Sequence, residues 1–376
     1  MKNGFTKIAL LLFLLLALVG VGYFSLRLYT RPKSEFWETR IANALLPTTC
    51  AKAVFPKFGD LYYEGTLIDT HFHIPTIPDS PPGLESEDEK TRPYLGLNFK
   101  IADIVCLQEQ ENISKVFAFF PVYPGMDQQH VEVVKQTMEK YPNKFVPFIM
   151  PPDSDGDPKG FPTVKATELE KMLNVYPGLF KGFGEIGLYE REGGAKELPP
   201  DSQRLQEIYP IVRKNKLLVY FHLGEGQKER YEKVLSANPD INFIFHGDQL
   251  IQCAECKQTL DEVEDILYNH PNVYYGVDEL YGDVITNRFD LTKEQFISHF
   301  DKWEKWMERD IETWKGFIER HPNQVLWGTD RGGDVLWALD SDIGLIYTRY
   351  TRAFIAKLDP AVQENFAYKN AEKLLK

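Results

Sequence analysis

The chain has 376 residues, of which 43% are hydrophobic and 13% aromatic, so it can bury a full core and is not a disordered protein. This length suits one large α/β domain with an appendage better than two ordinary domains. Its 55 acidic residues exceed its 43 basic residues and give a formal net charge of −12. Because no basic run offsets this charge, the surface repels phosphate backbones, and nucleic acid is not an expected partner.

Residues 1–33 form a segment unlike the rest of the chain. Basic residues flank an uncharged apolar run, Ile8–Leu26, which is just long enough to span a bilayer as a helix. A cleaved secretory signal is the alternative, although Gly20 and Gly22 make a poor cleavage site. The N-terminal position and the basic flanks disfavour a buried core helix. We expect a retained membrane anchor with the following domain exported, or a secreted protein if the segment is cleaved.

The remainder divides into residues 34–60 and residues 61–376. The first part contains an amphipathic stretch, Phe36–Leu46, and is predicted to pack on the domain or to link it to the anchor. In the second part, short apolar runs alternate with amphipathic stretches such as Asp201–Asn215 and Lys228–Ala237. The predicted strands are Leu67–Thr70, Lys115–Phe120, Phe145–Met150, Phe180–Ile186, Leu217–Phe221, Asn242–Phe245, Val273–Val277 and Val325–Thr329.

This alternation predicts a parallel sheet, and eight strands close a (β/α)8 TIM barrel. A doubly wound open sheet would normally carry a glycine-rich turn after its first strand, where this chain has His71-Phe72-His73. Two long segments lie between the strands. Thr292–Arg320 carries aromatic residues at helical spacing, which predicts core packing. Pro75–Pro93 follows the first strand and would be a lid at the barrel mouth or a solvated surface loop.

The chain has four cysteines, which allow three disulfide connectivities if the domain is exported. These are Cys50, Cys106, Cys253 and Cys256. The last two have the spacing of half a zinc site, but there is no second such pair. A local disulfide or two ordinary thiols is therefore favoured over a zinc knuckle.

The most informative motif is His71-Phe72-His73, directly after the first predicted strand. Alternate residues of a strand point to the same side, so the two imidazoles converge, with Asp69 one step below on the same face. Neutral imidazole is the commonest protein metal ligand, and two at this spacing make half a site.

Similar polar residues end four later strands. Glu185 ends the fourth predicted strand, His222 the fifth, His246 the sixth, and Asp330 follows the eighth. One such residue alone would be a core histidine or a helix cap. In a barrel, however, all of these ends surround one mouth, where unpartnered polar groups would be costly to bury. The pattern therefore predicts a metal site at the mouth.

The order Asp-x-His-x-His on strand one, His on strands five and six, and Asp on strand eight resembles the amidohydrolase superfamily. The resemblance covers about residues 61–376. The segments Pro271–Tyr274, Val325–Asp330 and Phe366–Leu375 are similar to the amidohydrolase-2 group. Gly184–Leu188 is similar to the TatD-type hydrolases, in which a strand-four Glu bridges two metals.

The resemblance implies that His71, His73 and Asp330 bind the first metal. His222 would bind that metal in a mononuclear site, or a second metal in a binuclear one. Glu185 would bridge only in the binuclear case, in place of the carboxylated Lys of other members. These ligand types fit Zn²⁺ best, and Mn²⁺ and Fe²⁺ are also compatible.

His246 would be either a second-metal ligand or a free base that polarises the substrate carbonyl. Asp330 would also take a proton from the attacking water and pass it to the leaving group. Lys181 lies four residues before Glu185 and is expected to be too deep in the barrel to take part. Asp248 and Asp278 would lie near the mouth within reach of a substrate, although loop capping is the simpler interpretation of each.

The resemblance thus implies a metal-dependent hydrolase that acts on a small-molecule amide, ester, lactone or phosphoester. One alternative is a mononuclear decarboxylase, which needs a clamp for a substrate carboxylate. Arg331 and Arg92 are the candidates for that clamp, although both are more simply interpreted as surface or ion-pair residues. Glu185 also suggests a TatD-type nuclease or deacylase, of which the nuclease is disfavoured by the acidic charge balance and by export. A non-catalytic, membrane-tethered barrel is the remaining alternative.

Overall fold

The computed structural model describes residues 33–50, 55–122, 127–152, 160–190, 195–247, 259–278, 280–281, 291–332 and 335–376. The predicted membrane segment lies outside these ranges, as do Asp248, Cys253 and Cys256. Among the described helices, none is both long and apolar enough to cross a bilayer.

Eight parallel strands pair in sequential order and form a nearly closed barrel. They are β1 (Leu67–His73), β2 (Ile113–Pro121), β3 (Phe145–Met150), β4 (Gly182–Gly187), β5 (Leu218–His222), β6 (Phe243–Phe245), β7 (Val273–Val277) and β8 (Val325–Trp327). Between β8 and β1, the Thr70 hydroxyl donates to Trp327 O and His73 N donates to Arg331 O, both over 2.8 Å. The eight predicted strands and the barrel are confirmed, with differences only at strand ends.

The strands are apolar on both sides because one side fills the barrel interior and the other lies under the helices. Phe117, Phe148 and Tyr220 belong to the interior cluster, together with Ala371 and Leu374 of the last helix. Asn370 in that helix donates to Pro322 O and Val325 O at the start of β8. The C-terminal helix therefore covers the end of the barrel opposite the mouth.

The described helices lie between and around the strands. They are Lys33–Ala44, Glu87–Thr91, Ile101–Gln110, Asp127–Lys140, Ala166–Val175, Gln203–Asn215, Lys228–Ala237, Leu260–Asn269, Lys293–His299, Trp303–Asp310, Gly316–Arg320, Ser341–Ile355, Pro360–Glu364 and Asn370–Leu374. A 3-10 turn at Phe300–Lys302 and a π turn at Ile311–Lys315 divide the predicted Thr292–Arg320 segment. Its Phe296, Trp314 and Phe317 are buried, which confirms core packing.

The chain that precedes β1 is attached to the barrel by a disulfide and by ring packing. Cys50 and Cys106 form a disulfide, which ties the chain after helix Lys33–Ala44 to helix Ile101–Gln110. The Trp37 ring also lies edge-on to the ring of His130, with centroids 4.5 Å apart.

The Pro75–Pro93 segment is held by polar contacts rather than lying free in solvent. Arg40 pairs with Glu85 over 2.5 Å and joins the segment to the first described helix. The buried Glu89 accepts hydrogen bonds from Ser80 N and from Ser86 N, the latter as half of a capping box. These contacts order the segment, although most of residues 79–92 are exposed to solvent.

Candidate metal centre

The first strand brings its two imidazoles together at the barrel mouth. His71 Nε2 and His73 Nε2 lie 3.0 Å apart. Asp330, just after β8, places its Oδ1 atom 3.3 Å from His71 Nε2 and 3.1 Å from His73 Nε2. Its backbone is left-handed, with φ at +45°, a conformation that Asp tolerates better than most residues. We call His71, His73 and Asp330 the first ligand set.

Glu185 on β4 faces imidazoles on two sides. Its Oε2 atom lies 3.3 Å from His71 Nε2 and 3.4 Å from His73 Nε2. Its Oε1 atom lies 3.1 Å from His222 Nδ1 and 3.6 Å from His246 Nε2. A carboxylate whose two oxygens face different imidazole pairs has the geometry of a bridging ligand in a two-metal site.

His222 and His246 form the second ligand set with Glu185. They end β5 and follow β6, and their rings stack with centroids 4.4 Å apart. The donor atoms of Glu185, His222 and His246 lie within 4.8 Å of one another, as do those of His71, His73, Glu185 and Asp330. The structure thus brings all of the predicted ligands together and divides them into two sets that share Glu185.

The spacing of donor atoms in the first ligand set, taken together with Glu185, fits a tetrahedral cation. Bonds of about 2.0–2.1 Å at tetrahedral angles put neighbouring ligand atoms about 3.3 Å apart. The distances from the His71 and His73 nitrogens to the Asp330 and Glu185 oxygens range from 3.1 to 3.4 Å. Two nitrogens and two carboxylate oxygens are also a donor group that suits Zn²⁺. The residues present therefore fit the metal that the sequence pattern predicts.

Burial and mutual attraction oppose each other in this cluster. Burial lowers the pKa of His73, but hydrogen bonds to Asp330 and Glu185 outweigh it and raise that pKa to about 9. Burial likewise lowers the pKa of His71, yet the Asp330 and Asp278 carboxylates hold it well above its usual value. For Glu185, burial raises the pKa, and the charge of His246 with hydrogen bonds from nearby imidazoles brings it well below its usual range. The charged forms of His71, His73 and Glu185 thus stabilise one another in spite of their burial.

Asp69 does not join the ligands. Its carboxylate accepts hydrogen bonds from Thr329 N over 3.1 Å and from the Thr329 hydroxyl over 2.7 Å. A shift in the pairing of β1 with β2 falls between Asp69 and Phe72, so simple strand alternation does not hold there. Burial raises the pKa of Asp69 to about 6, although its hydrogen bonds act in the opposite direction. Asp69 instead links β1 to the turn that carries Asp330.

Asp278 is a residue of the site that sequence reasoning interpreted as a loop cap. It follows β7 and is buried, with its Oδ2 atom 3.2 Å from His71 Nδ1. Tyr220, two residues before His222, donates its hydroxyl to the same oxygen over 3.4 Å. Two sequence signals could have identified these residues. Asp278 directly follows β7, and Tyr220 lies two residues before His222 on the same strand.

Other residues considered from the sequence make contacts outside the two ligand sets. Lys181 lies just before β4, and its Nζ atom donates to Gly178 O at an exposed position. The buried Arg331 donates to Ala338 O and Asp340 O, both over 3.2 Å, and Arg92 pairs with Asp88 over 3.1 Å. Arg331 is therefore a buried residue rather than a surface residue, and Arg92 is an ion-pair residue. His130, His270, His299 and His321 are absent from the described ligand groups.

The eight-stranded barrel, with a cluster of imidazoles and carboxylates at its mouth, agrees with the class that the family comparison gives. The family model described as amidohydrolase, of the amidohydrolase-2 type, matches residues 68–376. The chain therefore belongs to the amidohydrolase family, and the resemblance deduced from the strand-end residues is confirmed. No curated protein matches the chain significantly.

Solved structures resemble this chain at low sequence identity. An amidohydrolase from Burkholderia multivorans with bound zinc has a TM-score of 0.50 and 10% identity, covering 82% of this chain and 99% of that one. A probable 2-pyrone-4,6-dicarboxylic acid hydrolase from Acinetobacter baumannii has a TM-score of 0.47 and 14% identity, covering 82% and 98%. A 2,6-dihydroxybenzoate decarboxylase from Rhizobium has a TM-score of 0.46 and 14% identity, covering 83% and 98%. The first of these similarities supports the fold.

Proposed function

We propose that this protein is a metal-dependent hydrolase that acts on a small-molecule amide, ester, lactone or phosphoester. One observation carries the proposal: the two oxygens of Glu185 face two separate imidazole pairs, at 3.3–3.4 Å on one side and 3.1–3.6 Å on the other. This geometry favours two cations over one. The ligand types favour zinc, the metal bound by the Burkholderia multivorans amidohydrolase.

The first ligand set would hold one cation, and Glu185 with His222 and His246 would hold the second. Divalent cations in such a site supply a water of lowered pKa and polarise the oxygen of the bond under attack. His246 is proposed as a ligand because its Nε2 atom lies 3.6 Å from Glu185 Oε1.

Asp330 is proposed as the residue that moves the proton. Its Oδ1 atom lies 3.3 Å from His71 Nε2 and 3.1 Å from His73 Nε2, and its Oδ2 atom lies 4.0 Å from His246 Nε2. In this proposal the second oxygen takes a proton as water oxygen bonds to the substrate carbon or phosphorus. It returns that proton to the leaving group as the scissile bond breaks, so water is the only co-reactant.

Metal content tests the site. The full-length protein and a His71→Ala/His73→Ala variant are loaded with Zn²⁺ or Mn²⁺, freed of excess ion, and measured by mass spectrometry. Two equivalents in the parent, with fewer in the variant, support the proposal. One equivalent in the parent would favour the mononuclear decarboxylase alternative. None in the parent would overturn both enzyme proposals.

Turnover tests the reaction. The loaded and the chelator-treated proteins are compared on chromogenic esters, lactones, phosphoesters and amides, and CO₂ release is followed with aromatic carboxylic acids. Metal-dependent hydrolysis of any of these substrates supports the proposal. CO₂ release without hydrolysis would replace it by decarboxylation, and a loaded but inactive protein would favour the non-catalytic barrel.

We also propose that the domain is exported and anchored by the N-terminal segment. The Cys50–Cys106 disulfide supports this, since such bonds persist mainly in oxidising compartments. Protease added to cells stripped of their outer layers, with the cytoplasmic membrane intact, should digest the barrel of a periplasmic or extracellular protein, and the barrel should stay with the membrane fraction. Protection of the barrel in such cells, with digestion only after lysis, would contradict export.

A further inference from the structure

The two ring nitrogens of His71 contact different groups of residues. Its Nε2 atom faces His73 and the two carboxylates of the metal centre. Its Nδ1 atom lies 3.2 Å from Asp278 Oδ2 and 3.3 Å from the Tyr220 hydroxyl. Because Nε2 must present a lone pair to a cation, the proton of a neutral His71 ring belongs on Nδ1.

The neighbouring strands are shaped around the Asp278 carboxylate. A Cβ atom at Gly328, just after β8, would lie 2.0 Å from Asp278 Oδ1 and 2.8 Å from His71 Cβ. A Cβ atom at Gly276 on β7 would lie 2.9 Å from the Tyr220 hydroxyl and 3.3 Å from Asp278 Oδ2. Two glycines thus leave the space in which Asp278 reaches beneath His71.

This placement of Asp278 is costly for the fold. Its side chain is 1% exposed, and its Oδ1 atom has no hydrogen-bond partner among the described residues. A buried carboxylate oxygen without a partner destabilises a protein, because it loses its hydrogen bonds to water and gains none in return. A role toward His71 accounts for a carboxylate where an apolar side chain would be more stable.

We propose that Asp278 is a positioning residue for the first metal: it accepts the Nδ1 proton of His71 and fixes the ring with Nε2 toward the cation. Tyr220 donates to the same Asp278 oxygen and fixes that carboxylate in turn. This inference rests on the proposed metal centre. Removing such a partner of a metal-ligating imidazole typically weakens metal binding about 10–100-fold.

The competing role for Asp278 is that of a direct ligand. Donor atoms of Asp278, His71 and His246 also lie within 4.8 Å of one another. A direct ligand and a positioning residue differ in what their removal does. Loss of a ligand removes a bound ion. Loss of a positioning residue lowers the affinity for an ion that still binds at saturating concentration.

The test is a zinc titration of the full-length protein against a chromophoric chelator, for the parent and for Asp278→Ala, Asp278→Asn and Tyr220→Phe. We expect two equivalents in every variant and an affinity for one ion about 10–100-fold weaker in Asp278→Ala. Asp278→Asn should bind with intermediate affinity because its amide oxygen still accepts a hydrogen bond, and Tyr220→Phe should show the smallest loss. The visible spectrum of bound Co²⁺ should shift in the Asp278 variants, which a purely structural role would not produce.

A matched control is Asp310→Asn. Asp310 is equally buried, accepts from Tyr281 N and the Tyr350 hydroxyl, each over 2.8 Å, and belongs to none of the described ligand groups. An equal loss of zinc affinity in this variant would overturn the inference, because the loss would follow from general destabilisation. If Asp278→Ala does not fold, an unchanged zinc affinity in Asp278→Asn would overturn it as well.

The remaining outcomes separate the inference from the function on which it rests. A parent protein that binds no zinc refutes the metal centre itself. A parent that binds two ions, with unchanged affinities in Asp278→Ala, refutes only the role of Asp278. Loss of a whole equivalent in Asp278→Ala makes Asp278 a ligand and also refutes the positioning role.

Discussion

Charged side chains lie at both ends of the barrel, but they are buried at one end and exposed to solvent at the other. At the mouth, the side chains of His71, Asp330 and Glu185 are only 0%, 7% and 13% exposed. At the other end, a cavity of about 720 Å³ is lined by charged residues that include the pair Arg213 and Asp240, whose side chains are 42% and 51% exposed. Charged groups that stay hydrated have little effect on the free energy of folding, whereas buried charged groups destabilise the fold unless a partner compensates them. Burial, rather than the number of charges, therefore distinguishes the end that carries the candidate metal centre.

The sharpest test of this difference is Asp330→Asn. The amide keeps the size of the side chain and one oxygen for the first ligand set, but it cannot take up a proton. We expect kcat on a hydrolysed substrate to fall about 10²–10⁴-fold at saturating zinc, as for the loss of a general base. Zinc content is measured in the same samples so that lost occupancy is not mistaken for lost chemistry.

The control for this prediction is Asp240→Asn at the other end of the barrel, which should leave kcat unchanged. Full activity in Asp330→Asn at equal zinc content would show that another group carries the proton. A comparable loss of activity in both variants would remove the distinction between the two ends.

The second prediction concerns the fastening of the chain before β1. A Cys50→Ser/Cys106→Ser variant loses a cross-link between residues 56 positions apart, which should lower the free energy of unfolding by roughly 2–4 kcal/mol. Urea denaturation of the two proteins gives the value. Zinc content should stay the same, because neither cysteine belongs to the ligand groups of the described residues. A parallel loss of zinc would mean that the mouth depends on this distant fastening.

The third prediction uses pH at the Pro75–Pro93 segment. Burial raises the pKa of Glu89, but hydrogen bonds from Ser80 and Ser86 outweigh it and lower that pKa from 4.5 to about 2. The carboxylate therefore adds stability that is full above pH 4.5 and is lost as the pH falls through about 2. Glu89→Gln should lower the free energy of unfolding by about 1 kcal/mol near pH 7, as for loss of a helix cap.

Urea denaturation of the Glu89→Gln and parent proteins at several pH values tests the sign. The difference between them should be constant from pH 7 to about pH 5 and should shrink as the medium becomes more acidic. A difference that grows on acidification would show that the carboxylate is not the stabilising form. Lys90→Gln, an exposed neighbour in the same helix, serves as the control for changes in net charge.

The strands and the ligands were predictable from the sequence for the same reason. Buried parallel strands need apolar residues on both faces, so a polar residue that ends such a run stands out. His222, His246 and Asp330 were found in this way, and parallel pairing then places them at one mouth. How they divide between two sets depends on side-chain directions at Glu185, which the order of residues does not encode.

The errors have equally physical causes. Asp69 was expected on the same strand face as His71 because simple alternation was assumed. The shift in the pairing of β1 with β2 after Asp69 breaks that alternation. Asp278 was interpreted as a loop cap because one Asp after a strand commonly caps the next helix. Its contact with His71 depends on the space left by Gly276 and Gly328, which only the packed barrel reveals. The Thr292–Arg320 segment kept its buried stripe but not its continuity, because helical spacing does not specify where turns change type.

The smallest expected effect belongs to the exposed end. Arg213 contacts Asp240 through two hydrogen bonds of 2.5 and 3.1 Å, a good geometry that nevertheless lies in water. Exposed pairs of this kind contribute about 0.2–1 kcal/mol, because solvent screens the attraction and both side chains lose freedom. A double-mutant cycle of Arg213→Ala and Asp240→Ala, followed by urea denaturation, should give a coupling energy in that range. Zinc content should be unchanged throughout the cycle. A coupling of several kcal/mol would mean that the charges at this end are not solvated as their exposure indicates, and burial would then cease to distinguish the two ends of the barrel.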